Sequence, residues 1–253
     1  MRLVIDIGNT RAKLVVFDGT EMVGQTYSDS CTLSGLDDLL ARHTFRKGIL
    51  GTVATLGTEA ERRLRELPFP LVRLEAGTPL PFPLAWRRLG SRKVTPLPPT
   101  LGADRIAAIV GAMVQRPGTP LLIIDSGTCI TYEVVDEEGY YLGGNIAPGL
   151  QMRLKAMHEH TALLPEVPEE GDSPLLGYDT ETCMRSGVLQ GLQYEIEGYI
   201  KSMRAKYPKL LVFLTGGDKI NFDSKIKNII FADKYIVPRG LNKILDYNYG
   251  KIL

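Results

Sequence analysis

Three cysteines in 253 residues, Cys31, Cys129 and Cys183, are too few and too widely spaced for a disulfide framework, and no C-x-x-C pair is present to hold zinc. A reducing compartment suits such a chain. Long apolar runs are also missing: Leu121 to Ile124 and Leu210 to Leu214 are strand-sized, well short of the about 20 residues that cross a bilayer, so no membrane span is expected. Met1 to Asp6 leads straight into a strand pattern, without a basic region, an apolar core or a small-residue cleavage site. The expected location is therefore the cytoplasm. Charge of one sign is lacking as well, with 30 Lys plus Arg against 29 Asp plus Glu, although residues 1–118 hold 16 basic against 11 acidic side chains. Arg87, Arg88, Arg92 and Lys93 stand beside no helix-turn-helix, zinc-finger or aromatic-basic signature, so they read as a solvated face and no nucleic-acid partner is expected. What remains, 44% hydrophobic and 23% charged residues, is the composition of an ordinary globular enzyme with room for two domains.

Local patterns alternate between strand and helix. Leu3-Val4-Ile5 and Leu14-Val15-Val16-Phe17 flank Asp6-Ile7-Gly8-Asn9-Thr10, which predicts two strands joined by a tight glycine turn. Ser34 with Asp37 predicts one helix start and Thr58 with Glu61 a capping box, with a short strand at 48–53 between them. Half of the 16 prolines fall within residues 68–100, which predicts an extended, loop-like segment. Ile106, Ile109, Val110 and Met113 recur at helical spacing between Gly102 and the stop at Arg116-Pro117-Gly118. Strands are predicted at 121–126, 130–135 and around 140–142. A long helix then carries Met184, Val188, Leu192, Ile196, Ile200 and Met203 as one stripe, and a strand at 210–214 enters Thr215-Gly216-Gly217-Asp218. From Ile226 onward a strand and a terminal helix are expected. Leu3 to Thr10 and Leu122 to Thr128 share an aliphatic strand, a terminal Asp, one residue, Gly and a small polar residue, at an offset of 119. So long an offset predicts two related α/β domains, 1–118 and 119–253, each opening with the same strand-turn-strand device.

An Asp at a strand end, followed by a glycine turn with Asn, Thr and Lys, offers carboxylate oxygens to a hydrated Mg2+ and donors to phosphate. Asp6, Gly8, Asn9, Thr10 and Lys13 suit that task, and the copy at Asp125 allows opposed contacts across an interdomain cleft. Asp104 has two readings: a cap in the first helical turn, or a general base for a substrate hydroxyl with Arg105 holding an anion. Thr180, beside Asp179, reads as either a cap or a substrate contact. His43, His158 and His160 form no ligand set, and Cys129 has no His partner, so it reads as a small buried residue. Neither G-x-x-x-x-G-K-[ST] nor a kinase H-R-D signature occurs.

The ordered motifs Asp6-Ile7-Gly8-Asn9-Thr10, Gly102-Ala103-Asp104-Arg105, Asp125-Ser126-Gly127-Thr128, Pro148-Gly149-Leu150, Thr161 to Pro165, Asp179-Thr180 and Thr215 to Asp218 run through essentially the whole chain. In them the sequence resembles the type III pantothenate kinases of the acetate-kinase, sugar-kinase and actin-like superfamily. The resemblance implies duplicated ribonuclease H-like (actin-like ATPase) domains with mixed central sheets and an interdomain cleft. It also implies ATP-dependent phosphorylation of pantothenate to 4'-phosphopantothenate, the first step of coenzyme A biosynthesis. Asp6, Ile7, Gly8, Asn9, Thr10, Arg11, Ala12, Lys13 and Thr128 are then expected to contact ATP, and Asp104 to act as base. Gly102, Ala103, Asp104, Arg105 and Thr180 would line the pantothenate site, and Asp125 would bind a monovalent cation, potassium or ammonium, beside Mg2+. A homodimer is implied, with the stripe of residues 180–206 packed partly against a partner. The sequence departs from the family pattern in lacking a Tyr within Val94 to Pro98, and in carrying Cys129 for a small apolar residue and Glu133 for Asp. Two other readings are another phosphotransferase or phosphohydrolase of the same superfamily and a non-catalytic nucleotide-binding regulator.

Overall fold

Leu3, Val4 and Ile5 are fully buried in succession, which a strand permits only when both of its faces are covered. They belong to β1 (Arg2–Ile7), the middle strand of a sheet ordered β3-β2-β1-β4-β5. In the computed structural model, which describes residues 1–9, 11–217 and 230–249, β2 (Ala12–Asp18) returns antiparallel with Lys13 opposite Asp6. Edge strand β3 (Glu21–Ser28) alternates exposed and half-buried residues, and it lies beyond the two strands expected before residue 30. Helix α1 (Gly35–Arg42) leads to β4 (Lys47–Thr52), parallel to β1, and α2 (Thr58–Arg65) leads to β5 (Leu71–Arg73). The capping box expected at Thr58 does not form. Gly57 is the N-cap, Thr58 is already helical, and the Glu61 carboxylate is bound instead by the Arg73 guanidinium at 2.7 Å.

The proline-rich stretch is extended as expected, carrying only β6 (Trp86–Arg87) and β7 (Val94–Thr95) before α3 (Ala103–Gln115). From there β8 (Leu121–Ser126), β9 (Cys129–Val135) and β10 (Tyr141–Pro148) repeat the opening of the chain. Strand β10 is longer than the expected 140–142, and a helix not anticipated, α4 (Leu150–Glu159), follows it. Helix α5 (Thr180–Lys206), β11 (Leu211–Gly216), β12 (Ile230–Ala232) and α6 (Ile236–Tyr249) complete the described chain. The neighbour order β10-β9-β8-β11-β12 reproduces β3-β2-β1-β4-β5 strand for strand, which is the duplication expected from the 119-residue offset. Asp218 and residues 226–229 lie outside the described residues.

Two compact units form, and they do not simply follow a boundary at residue 118. The first joins Met1–Gly118 to Val135–Gly143 and to the chain from Tyr235 onward; the second holds Thr119–Val134 and Gly144–Lys234. Segment 135–143 is tied to the first unit by Arg87, which pairs with Asp136, bonds Glu138 at 2.6 Å and lies 4.4 Å from the Tyr140 ring centre. Within the second unit the stripe of α5 is not left for a partner. Met184, Val188, Leu192, Ile196 and Ile200 pack against Leu122, Leu154 and Val212 in the unit's own core.

In the first unit α6 packs along α3 at a separation only glycine allows. A Cβ on Gly240 would stand 1.8 Å from the Ala107 carbonyl oxygen, and one on Gly111 would stand 2.0 Å from that of Ile236. Gly240→Ala is therefore expected to force the helices apart and to destabilise the protein by about 2 kcal/mol or more, read from denaturant unfolding.

Candidate active site

The turn after β1 is closed by the Gly8 N–H donating to the Arg11 carbonyl oxygen at 3.1 Å, so Ile7 and Ala12 remain paired strand residues. Asp6 and Lys13 sit opposite each other just before and after it, where cross-strand side chains meet. Asn9 and Arg11 are exposed, Gly8 is half-buried, and Ile7 and Ala12 are core residues. Of the nine residues expected to contact ATP, Thr10 lies outside the described residues. The Lys13 ammonium stands 5.8 Å from the Tyr235 ring centre.

Burial pushes the Asp6 carboxyl up to about 6 from 3.8; Lys13 pulls it down and the charge of Asp104 adds to the rise. Asp6 and Asp104 therefore feel each other within the first unit. Asp104 stands in the first turn of α3, after the N-cap Gly102, and its Oδ1 accepts the Arg105 N–H at 2.7 Å. Burial raises its carboxyl above the ordinary range, while the Arg105 amide and guanidinium hold it down. The carboxylate bonds the amide of its own neighbour, so it closes no cap on the later turns of the helix. A Cβ at Gly102 would stand 2.6 Å from the Asp104 Oδ1 and displace the carboxylate. Ala103, half-buried, is the first helical residue of α3. Arg105 donates through Nη2 to the buried Tyr141 hydroxyl at 3.1 Å. Tyr141 and Tyr235 escape sequence reasoning because they stand far along the chain from the groups they touch, and no local pattern marks them.

The second unit builds a matching turn. Strand β8 ends at Asp125-Ser126, with Thr215 of β11 beside Asp125, and Gly127 N–H donates to the Cys129 carbonyl oxygen at 3.1 Å. Two separated motifs converge on this turn: Gly149, the N-cap of α4, donates its N–H to the Thr128 carbonyl oxygen at 3.1 Å, and Gly217 donates to that of Ser126 at 2.9 Å. Asp125 is half-buried and Thr128 exposed; Cys129, read as a buried residue, is half-exposed at the strand start. At α5 the cap is Asp179 and not Thr180. The Asp179 carboxylate accepts the Thr182 N–H at 2.8 Å and its hydroxyl at 2.7 Å, and these bonds lower the Asp179 pKa. Thr180 is the first helical residue, exposed.

Paired acidic glycine turns on two sheets that share a five-strand order, the second extended by β6 and β7 beyond β10, with a carboxylate at a helix start beside the first turn, define a duplicated ribonuclease H-like protein of the class that contains actin-like ATPases and sugar kinases. The fold agrees with that of a protein assigned as a 2-dehydro-3-deoxygalactonokinase from Sinorhizobium meliloti (TM-score 0.55, 14% identity, 98% of this chain and 99% of that one). It agrees likewise with a protein assigned to the Baf family of transcriptional activators from Campylobacter jejuni (TM-score 0.60, 20% identity, 98% and 99%). At these identities the likeness shows the fold alone. A family model described as type III pantothenate kinase matches residues 2–202, and a type III pantothenate kinase from Bacteroides fragilis is 50% identical over 252 residues, 100% of both chains. The chain belongs to the type III pantothenate kinase family.

Because the folded pKa of Asp6 lies above its unfolded value of 3.8, the native state holds an extra proton between the two. The native state is favoured by Asp6 below the lower value and loses that advantage as pH rises through about 6. Urea unfolding of wild type and Asp6→Asn at pH 4 and pH 8 is expected to show the variant gaining on wild type by up to about 3 kcal/mol between the two.

Proposed function

We propose that this protein transfers the γ-phosphoryl group of ATP to the terminal hydroxyl of pantothenate in the cytoplasm, giving ADP and 4'-phosphopantothenate for coenzyme A synthesis. The observation that carries the reading is Asp104: a partly buried carboxylate of raised pKa, at a helix start, next to the Asp6 turn. A raised pKa makes it a stronger base than an ordinary carboxylate. The substrate hydroxyl oxygen forms a bond to the γ-phosphorus, the bond to the β-γ bridging oxygen breaks, and the hydroxyl proton passes to Asp104. Such a transition state is loose, so alignment and charge neutralisation matter more than base strength.

In this reading the turn from Asp6 to Lys13, including Thr10, holds the ATP phosphates, and Thr128 meets the nucleotide from the second turn. Gly102, Ala103, Arg105 and Thr180 line the pantothenate site, with the Arg105 guanidinium, steadied by Tyr141, suited to the substrate carboxylate. Mg2+ fits Asp6, because that ion is held by one or two carboxylates plus substrate phosphates and not by an all-protein cage; bound there it would neutralise phosphate charge. Asp125, half-buried at the end of β8, supplies a carboxylate for a monovalent cation. No helix among the described residues is long and apolar enough to cross a membrane.

A homodimer is part of the proposal. Leu163, Leu175, Leu176 and Tyr178 stand 72–93% exposed in the stretch leading to Thr180, a concentration of large apolar side chains that water does not favour. Leu176→Asp is expected to shift sedimentation from dimer to monomer, and an unchanged dimer would remove this segment from the interface.

Asp104→Asn tests the chemistry. It is expected to lower kcat by about 10² to 10⁴ while ATP affinity changes little, because the base acts only in the transition state. ADP release without any acceptor would favour a phosphohydrolase, and ATP binding without release would favour a regulator.

A further inference from the structure

The parallel pair β1 and β4 has a second functional end. Asp6 marks the carboxyl end of β1, whereas at the amino end, about 13 Å back along the strand, a cavity of about 370 Å³ opens in the first unit. Arg2, Asp18, Gly19, Arg46, Lys47 and Tyr249 line it. Arg2 and Lys47 are register partners on adjacent parallel strands, so their side chains leave the sheet on the same face. Lys47 is only 8% exposed, and lysine is seldom buried so deeply without a close counter-charge.

The counter-charge present is shared. The nearest carboxylate, Asp246, lies 4.0 Å from the Lys47 ammonium but is bound by Arg2 at 2.5 Å. The other face of the ammonium meets the Tyr249 ring, 3.8 Å from its centre. Arg46 is exposed and makes no ion pair among the described residues. Burial and the neighbouring Arg2 push the Lys47 pKa down against the pull of Asp246. Three cationic side chains, Arg2, Arg46 and Lys47, thus face two carboxylates, Asp18 in the lining and Asp246 beside it, which leaves a positive surplus around a space of small-ligand size.

We propose that this cavity is a second anion site, taking a phosphate group, free or carried as the monoester of a small metabolite. A phosphate group has the sign of charge that this surplus attracts, and Arg46 with Lys47 supplies a planar fork and a point charge, the two donor types that bind phosphate. The site is separate from the nucleotide turn and does not depend on the kinase reading: it uses the other end of β1 and the last turns of α6.

Equilibrium dialysis with labelled inorganic phosphate tests it on the full chain. Wild type and Lys13→Met, which removes a cation from the nucleotide turn, are both expected to retain one saturable phosphate site. Lys47→Met and Arg46→Gln are expected to weaken that site about tenfold or more. Arg46 is exposed, so its variant does not disturb the core, and thermal melts without phosphate confirm that each variant is folded. Displacement of the label by ribose 5-phosphate at comparable concentration would assign a monoester ligand, and failure to displace would assign free phosphate. Unchanged binding in Lys47→Met and Arg46→Gln, loss in Lys13→Met alone, or no saturable binding below about 10 mM would overturn the proposal.

Discussion

Two partly buried carboxylates, Asp6 and Asp104, are held where burial raises the cost of ionising both and the charge of Asp104 adds to that cost at Asp6. Such a pair persists only if the backbone carrying it cannot relax. Strand β1, covered on both faces, fixes Asp6; helix α3 fixes Asp104, and α3 is in turn clamped by α6 through contacts that admit no Cβ at Gly111 or Gly240. A helix from the far end of the chain is thus a structural condition of chemistry at the near end.

That arrangement also bears on the cationic and phosphorylated ligands proposed for the site. Lys13 offsets part of the burial penalty on Asp6, and a bound cation would lower the carboxyl further, so ligand binding and ionisation favour each other. The same unit places positive charge at the opposite end of β1, where Lys47 and Arg2 compete for Asp246. Helix α6 takes part in both places, through Gly240 against α3, through Tyr249 in the cavity lining and through Asp246 on Arg2 and Lys47.

What was legible in the sequence was local. The Asp-x-Gly turns and their repeat follow from residue types within a few positions, and the two sheets carry them in the same strand order. Thr58 forms no capping box, its Glu61 partner being bound by Arg73, and of the two readings of Thr180 the cap falls because Asp179 already closes the capping box. The α5 stripe announced burial but not against what; only the packed unit shows Leu122, Leu154 and Val212 on the other side. Tyr141, Tyr235 and the α3-α6 contact were invisible because each joins residues distant along the chain. Strand β3 and helix α4 were missed for a different reason: the exposed face of β3 mixes Glu, Val, Gln and Tyr, and α4 carries only two buried residues, so neither shows a clean period.

The central claim is that this geometry moves a phosphoryl group to pantothenate. The most direct measurement is the ratio of phosphopantothenate formed to ADP released by the purified protein with ATP and Mg2+, with and without pantothenate. The account predicts one phosphopantothenate for each ADP and no release without the acceptor. ADP release that ignores pantothenate, or pantothenate left unphosphorylated while ATP is bound, would contradict it.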